Sequence, residues 1–153
     1  MKRCGMVLLV LLALGACGKK ETPETQVRNT VRLAAAAAEK KDSAALRAII
    51  SEKYGDAQGR DKKTVDGIVR VYLLRNASLY LFTRTASVAF PEKDQALAVV
   101  YVGMAAQPVP TPQELERLRA DLYRFELTFR KESDTWRVVG AEWRPAELAD
   151  FVY

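Results

Sequence analysis

Histidine is absent from all 153 residues. That removes the side chain most used for proton transfer near neutral pH, and the commonest metal ligand. Cysteine occurs only at positions 4 and 17, so no disulfide can staple the chain that follows. The carboxylates at Asp42, Asp61 and Asp66 are spread too widely to give a hard cation the six or more oxygens it needs from closely spaced positions. Gly55, Gly59, Gly67, Gly103 and Gly140 compose neither a phosphate-binding loop nor a dinucleotide fingerprint. These gaps predict a protein without metal or cofactor and argue against an enzyme. Charge of one sign is also scarce. The net charge is +5, and without Lys2 and Arg3 it is 22 basic against 19 acidic residues, evenly mixed, which is no footprint of a nucleic-acid binder.

What is present begins at the N-terminus. Lys2 and Arg3 precede nine apolar residues, Met6 to Leu14, followed by small ones, the pattern of an export signal. Nine residues are too few for a spanning helix, which needs roughly 20. Leu14-Gly15-Ala16-Cys17 resembles the lipobox of bacterial lipoproteins. The resemblance implies cleavage before Cys17 and diacylglycerol on its sulfur, and it explains a free thiol that would be odd in an oxidising compartment. Two or three acyl chains, at about 0.8 kcal/mol per buried methylene, make such an anchor effectively permanent. Gly18, where an aspartate would favour inner-membrane retention, implies an outer-membrane lipoprotein facing the periplasm. The expected segments are a signal peptide (1–16), the lipidated cysteine with a tether (17–23), a folded domain (24–145) and a C-terminal tail (146–153).

Thr22-Pro23-Glu24 reads as an N-cap, a proline at the first helical position and an acidic first turn. Val27, Val31, Ala34, Ala35 and Ala38 then follow helical spacing, and the alanine run suits close packing on a sheet. Asp42 should cap a second helix carrying Leu46, Ile49, Ile50 and Tyr54, ended by Gly55 to Gly59, and Asp61 a third whose stripe is Val65, Ile68, Val69 and Tyr72.

From Leu79 the period becomes two. Tyr80, Phe82, Ala86, Val88 and Phe90 are expected on the apolar face of a first strand, which Arg84 interrupts, with Thr83, Thr85 and Ser87 opposite. A turn at 91–94 leads to a strand, Ala96 to Ala105, apolar on both faces and therefore central. Three prolines between Gln107 and Pro112 exclude sheet pairing there, and Thr111-Pro112-Gln113-Glu114 reads as a capping box opening a short helix. Tyr123, Phe125, Leu127 and Phe129 mark a third strand, with Arg124, Glu126 and Arg130 facing water, and Trp136 to Trp143 a fourth.

Three helices followed by a curved four-stranded antiparallel sheet, the last strand reading Trp136-Arg137-Val138-Val139-Gly140-Ala141-Glu142-Trp143, resemble the nuclear transport factor 2-like fold over residues 24–145. The resemblance implies an α+β cone, the sheet wrapped around the first helix, with its wide end open as a pocket in some members and filled in others. Among its enzymes, certain dehydratases use a His–Asp pair, which this chain cannot supply. Ketosteroid isomerase uses a tyrosine with two carboxyls, and no acid sits on the apolar face of the first strand.

The expected function is therefore a non-catalytic interaction or assembly module of the cell envelope, anchored to the membrane through Cys17 and meeting a protein partner or itself through the sheet. The alternative is a binding protein for a small apolar or anionic ligand in the cone, with Arg84, Tyr80, Tyr101 and Trp143 as candidate contacts. A filled cone would favour the first and a pocket of a few hundred cubic ångströms the second.

Overall fold

The structure, a computed structural model, describes residues 21–152. Cys17 and the signal-like segment lie outside the described residues. Helix α1 spans Pro23–Glu39 and starts as its sequence dictates: the Thr22 side chain accepts from the Thr25 N–H, and Pro23 occupies a position where the helix needs no donor. It ends without glycine. Lys41 takes the left-handed conformation (φ 55°), and the N–H groups of Lys41 and Asp42 return to the carbonyls of Ala38 and Ala37, a Schellman closure. Asp42 then caps α2 (Ser43–Ile49) and Asp61 caps α3 (Lys62–Arg75) through bonds to the N–H groups of Ala45 and Thr64.

Helix α2 is shorter than its periodicity predicts. Ile50 is already extended and bridges Val138 of the sheet, so Tyr54 belongs not to the helix but to a strap, residues 51–61, laid along the last strand. The strap satisfies that edge: the Ser51 N–H donates to the Val138 carbonyl at 2.9 Å, the Gly55 N–H to the Val139 carbonyl at 3.0 Å, and the buried Ser51 hydroxyl to Glu132 at 2.7 Å. Edge pairing of this kind outweighed the apolar spacing.

The sheet is an antiparallel meander in the order β1 (Tyr80–Glu92), β2 (Gln95–Ala105), β3 (Asp121–Glu132) and β4 (Thr135–Pro145). As expected, β2 is internal. The β3–β4 turn uses Ser133 and Asp134, both at positive φ (46° and 63°), the twist a two-residue hairpin requires. Helix α4 (Pro112–Arg117) follows the proline loop, but its predicted capping box does not form: the Thr111 side chain makes no capping bond, and Glu114 pairs with Arg117 instead.

In β1 the expected facing is corrected. Thr83 and Thr85 lie opposite the buried Val102 and Val100, whereas Arg84 lies opposite Tyr101. Directly paired residues share a face, so Leu81 and Thr83 point into the cone and Tyr80, Phe82 and Arg84 to its outside. A register shift between Thr85 and Ser87 then exchanges the faces, which returns Val88 to the core. One extra residue in a strand does this, bending the strand as it does so, and a strict count of two cannot see it. Another shift, between Thr128 and Phe129, bends the β3–β4 pair.

The core fills the narrow end of the cone. Val27 and Val31 of α1 meet Ala96, Ala98, Val100 and Val102 of β2, with Phe129 and Trp136 beside them. The Trp136 indole N–H donates to the Gln26 side chain at 3.1 Å, so its one polar atom is satisfied. Within the C-terminal tail a 3-10 helix, Leu148–Phe151, docks on the outer face of the sheet and buries Phe151 to 2% exposure.

Candidate functional site

The wide end of the cone is open. A cavity of about 360 Å³ lies between the second half of α1, the inner sides of α2 and α3, and the concave face of all four strands. Its size follows from α1. Ala34, Ala35 and Ala38 face the sheet at helical spacing, and three methyl groups span little of the gap that the bent sheet leaves. Across from them stand Met104, Phe125 and Trp143. Among the described residues the lining contains no acid, no lysine and no arginine. Its polar side-chain groups are the hydroxyls of Thr30, Thr83, Tyr54, Tyr72 and Tyr123 and the indole N–H of Trp143, and the Thr30 hydroxyl already donates to the Gln26 carbonyl of its own helix at 3.0 Å.

Two of the phenols are perturbed. Burial, then a hydrogen bond to Asp56 and that group's charge, push Tyr54 up to about 12. Its hydroxyl donates to Asp56 Oδ2 at 3.0 Å. Burial alone would raise the Asp56 carboxyl, but the backbone N–H and guanidinium of Arg60, with the Tyr54 hydroxyl, hold it below its ordinary value. The Arg60 guanidinium also lies 4.0 Å from the centre of the Trp143 ring. Trp143 thus contacts both this cation and Phe125, whose ring is stacked 6.1 Å away. The strap therefore contributes Tyr54 to the cavity wall, while its charged groups Asp56 and Arg60 stay out of the lining. Tyr72 is raised chiefly by burial and then by the negative charge of Asp121.

The four residues expected to contact a ligand are not brought together. Trp143 lines the cavity; Tyr80, Arg84 and Tyr101 lie on the opposite face of the sheet. Arg84 donates through Nε (3.2 Å) and Nη2 (2.7 Å) to the Asp150 carbonyl and lies 5.3 Å from the Tyr101 ring centre. Phe151 packs between Phe82 and Tyr101 at 6.3 and 5.7 Å. Arg84 thus holds the C-terminal 3-10 helix and faces no ligand in the cone. Missing from the sequence-based set are the alanines of α1 and the tyrosines Tyr54 and Tyr72. The alanine run is the available signal, and it fits close packing equally well.

No family model matches the chain, and no curated protein is similar to it in sequence at a significant level. Solved structures are similar to it in fold. A candidate dehydratase of the nuclear transport factor 2-like family from Streptomyces avermitilis superposes with a TM-score of 0.65 at 16% identity, covering 82% of this chain and 99% of that one. A domain of unknown function with a cystatin-like fold from Nostoc punctiforme gives 0.62 at 16% identity, over 83% and 80% of the two chains. Hexachlorocyclohexane dehydrochlorinase from Novosphingobium barchaimii gives 0.62 at 10%, over 81% and 86%. The chain has the nuclear transport factor 2-like, cystatin-like α+β cone fold. That fold hosts enzymes, and at these identities no activity passes from them to this chain.

Proposed function

We propose that this protein is a binding protein for a small, neutral, largely apolar molecule, held in the cone and kept near a membrane by lipid on Cys17. The supporting observation is the cavity of about 360 Å³ walled by aliphatic and aromatic side chains. It has the size of a small-molecule site and lacks the charged group that would hold an ion. The anionic version of the ligand reading loses its ground, because Arg84 lies outside the cone. Catalysis would have to rely on phenols, since the lining offers no carboxylate or imidazole.

The probe that tests this is the neutral dye N-phenyl-1-naphthylamine, which brightens in apolar surroundings. Wild-type protein should enhance it saturably, and Ala35→Phe, which fills the space facing the sheet, should abolish the enhancement while keeping the fold. A dye that stays dim with wild type, or binds the filled variant equally well, would sink the proposal.

A second reading, self-association through the outer face of the sheet, is favoured by a separate feature. There a hollow of about 470 Å³ is lined by Ala89, Leu97, Val99 and Gly140 together with the acids Asp56, Glu126 and Glu142, and Leu97 is 44% exposed. Replacing Leu97 with Lys should shift the sedimentation of a dimer to that of a monomer, and a protein monomeric at all concentrations would exclude this reading.

A further inference from the structure

We infer that the outward face of α3 docks on an anionic lipid surface. The helix is apolar on two sides. Its inner side contributes Val65, Val69, Tyr72 and Leu73 to the cavity wall. Its outer side leaves Val71 at 46% and Leu74 at 77% exposure, with Ile68 at 42% on the flank. A solvent-facing helix ordinarily reserves that side for polar residues. At 100° per residue, Val71, Leu74 and the small Gly67 form the outward stripe, with Lys63 and Arg70 along one border and Thr64 and Arg75 along the other. An apolar stripe bordered by basic residues is the pattern of a helix lying in a membrane interface, its cations at the headgroups.

The balance of charge selects the partner. Lys63, Arg70 and Arg75 are exposed. The acid within the helix, Asp66, is turned to Arg47 at 2.5 Å, with Arg70 at 3.8 Å, and the N-cap Asp61 is engaged by the N–H and hydroxyl of Thr64. No carboxylate of α3 therefore stands on the outward stripe to repel phosphate. Backbone packing leaves the helix free to present this side, since its main-chain neighbour is α2. Ile68 both lines the cavity and is partly exposed, so docking sets the lip of the cone against the lipid. The surface does not depend on the cone being a binding site: an empty cone would leave it unchanged.

The experiment uses the full chain, purified from membranes and reconstituted with vesicles. An environment-sensitive nitrobenzoxadiazole label is placed at Leu74→Cys or, on the opposite side of the molecule, at Leu97→Cys, and brominated phospholipid serves as quencher. Both positions are exposed, so neither label disturbs the core, and the protein is used at concentrations where it sediments as a monomer, so that the Leu97 label meets no second copy through the outer face of the sheet. In vesicles with one third phosphatidylglycerol, the Leu74 label should shift to the blue and be quenched at least twice as strongly as the Leu97 label. The difference should disappear in pure phosphatidylcholine and in the triple variant Lys63→Gln, Arg70→Gln, Arg75→Gln, because each cation near an anionic surface is worth about a fivefold change in partitioning. Equal quenching at the two positions, or quenching at Leu74 that ignores the charge of the lipid, would overturn the inference and leave the stripe to a protein partner.

Discussion

Removing the ring of Phe151 should release the C-terminal 3-10 helix and leave the domain folded. The ring is 2% exposed, and burying a phenylalanine takes on the order of 200 Å² from water, or roughly 5 kcal/mol at about 25 cal/mol per Å². The fork from Arg84 to the Asp150 carbonyl adds about 2 kcal/mol, the range for bonds from a charged donor. Against these stands the ordering of residues 148–151, at about 1–2 kcal/mol of backbone entropy each, or roughly 6 kcal/mol. The segment is therefore docked by only about 1 kcal/mol net. It lies beyond β4 and can peel away without breaking a strand pairing, so Phe151→Ala cannot cost the domain more than that figure. A phenylalanine truncated in a closed core costs about 3–5 kcal/mol. Arg84→Ala should release the same segment, so the double variant should be no less stable than the worse single one, the signature of two contacts serving one event. Chemical denaturation gives the energies, and hydrogen exchange at Asp150 and Phe151 reports the release. Additive losses of 3 kcal/mol or more, with the whole domain unfolding, would refute the reasoning and make the 3-10 helix part of the cooperative core.

Gly103→Ala should destabilise the domain by about 1–3 kcal/mol, because a methyl there would collide with the δ-carbons of Leu115, 1% exposed on α4, and force an overpacked junction; denaturation midpoints check this. Tyr54 should titrate near 12, above an ordinary phenol: its raised value means that the protonated hydroxyl stabilises the fold fully below pH 10, and that this contribution drains away as pH climbs toward 12. Ultraviolet titration of wild type beside Tyr54→Phe should lose that late step and keep the others; a late step that survives the substitution assigns it to another phenol. Cys17→Ser should abolish membrane attachment, judged by fractionation and lipid labelling; a variant retained in the membrane beside an unlipidated wild type would overturn the reading of the N-terminus.

Local chemistry was legible, and what depended on distance was not. Thr22, Asp42 and Asp61 announce three helix starts because a capping oxygen acts within three residues of itself. The alternation of Tyr123, Phe125, Leu127 and Phe129 announces β3 because the pleat is regular there. In β1 the same reasoning failed for one physical reason. A bulge after Thr85 gives each half of the strand its own inward face, and a single-phase reading fits the half with Val88 and misplaces the half with Arg84. Arg84 then looked like a charge in the cone, when it is a clamp on a segment 66 residues further along the chain. Nothing near it in sequence reveals that partner.

Whether the cone is open or filled is hidden from the sequence for a different reason. A row of small side chains on α1 has two opposite consequences, and the distance between helix and sheet decides which one holds. If the backbones can approach, alanine permits close contact; if the sheet is held away, the same methyl groups leave the gap unfilled. Here the distance is set elsewhere. Val27 and Val31 seat α1 against β2 at the narrow end, and register shifts in β1 and in the β3–β4 pair curve the sheet away from Ala34, Ala35 and Ala38. Neither valines nor bulges are contiguous with the alanines, so the cavity is a property of the assembled cone and of no segment in it. The chain could close this space with one or two larger residues on α1, gaining on the order of 1 kcal/mol for each buried methylene. Alanines there leave that stability unrealised, and this is the cost that the proposed ligand site would carry.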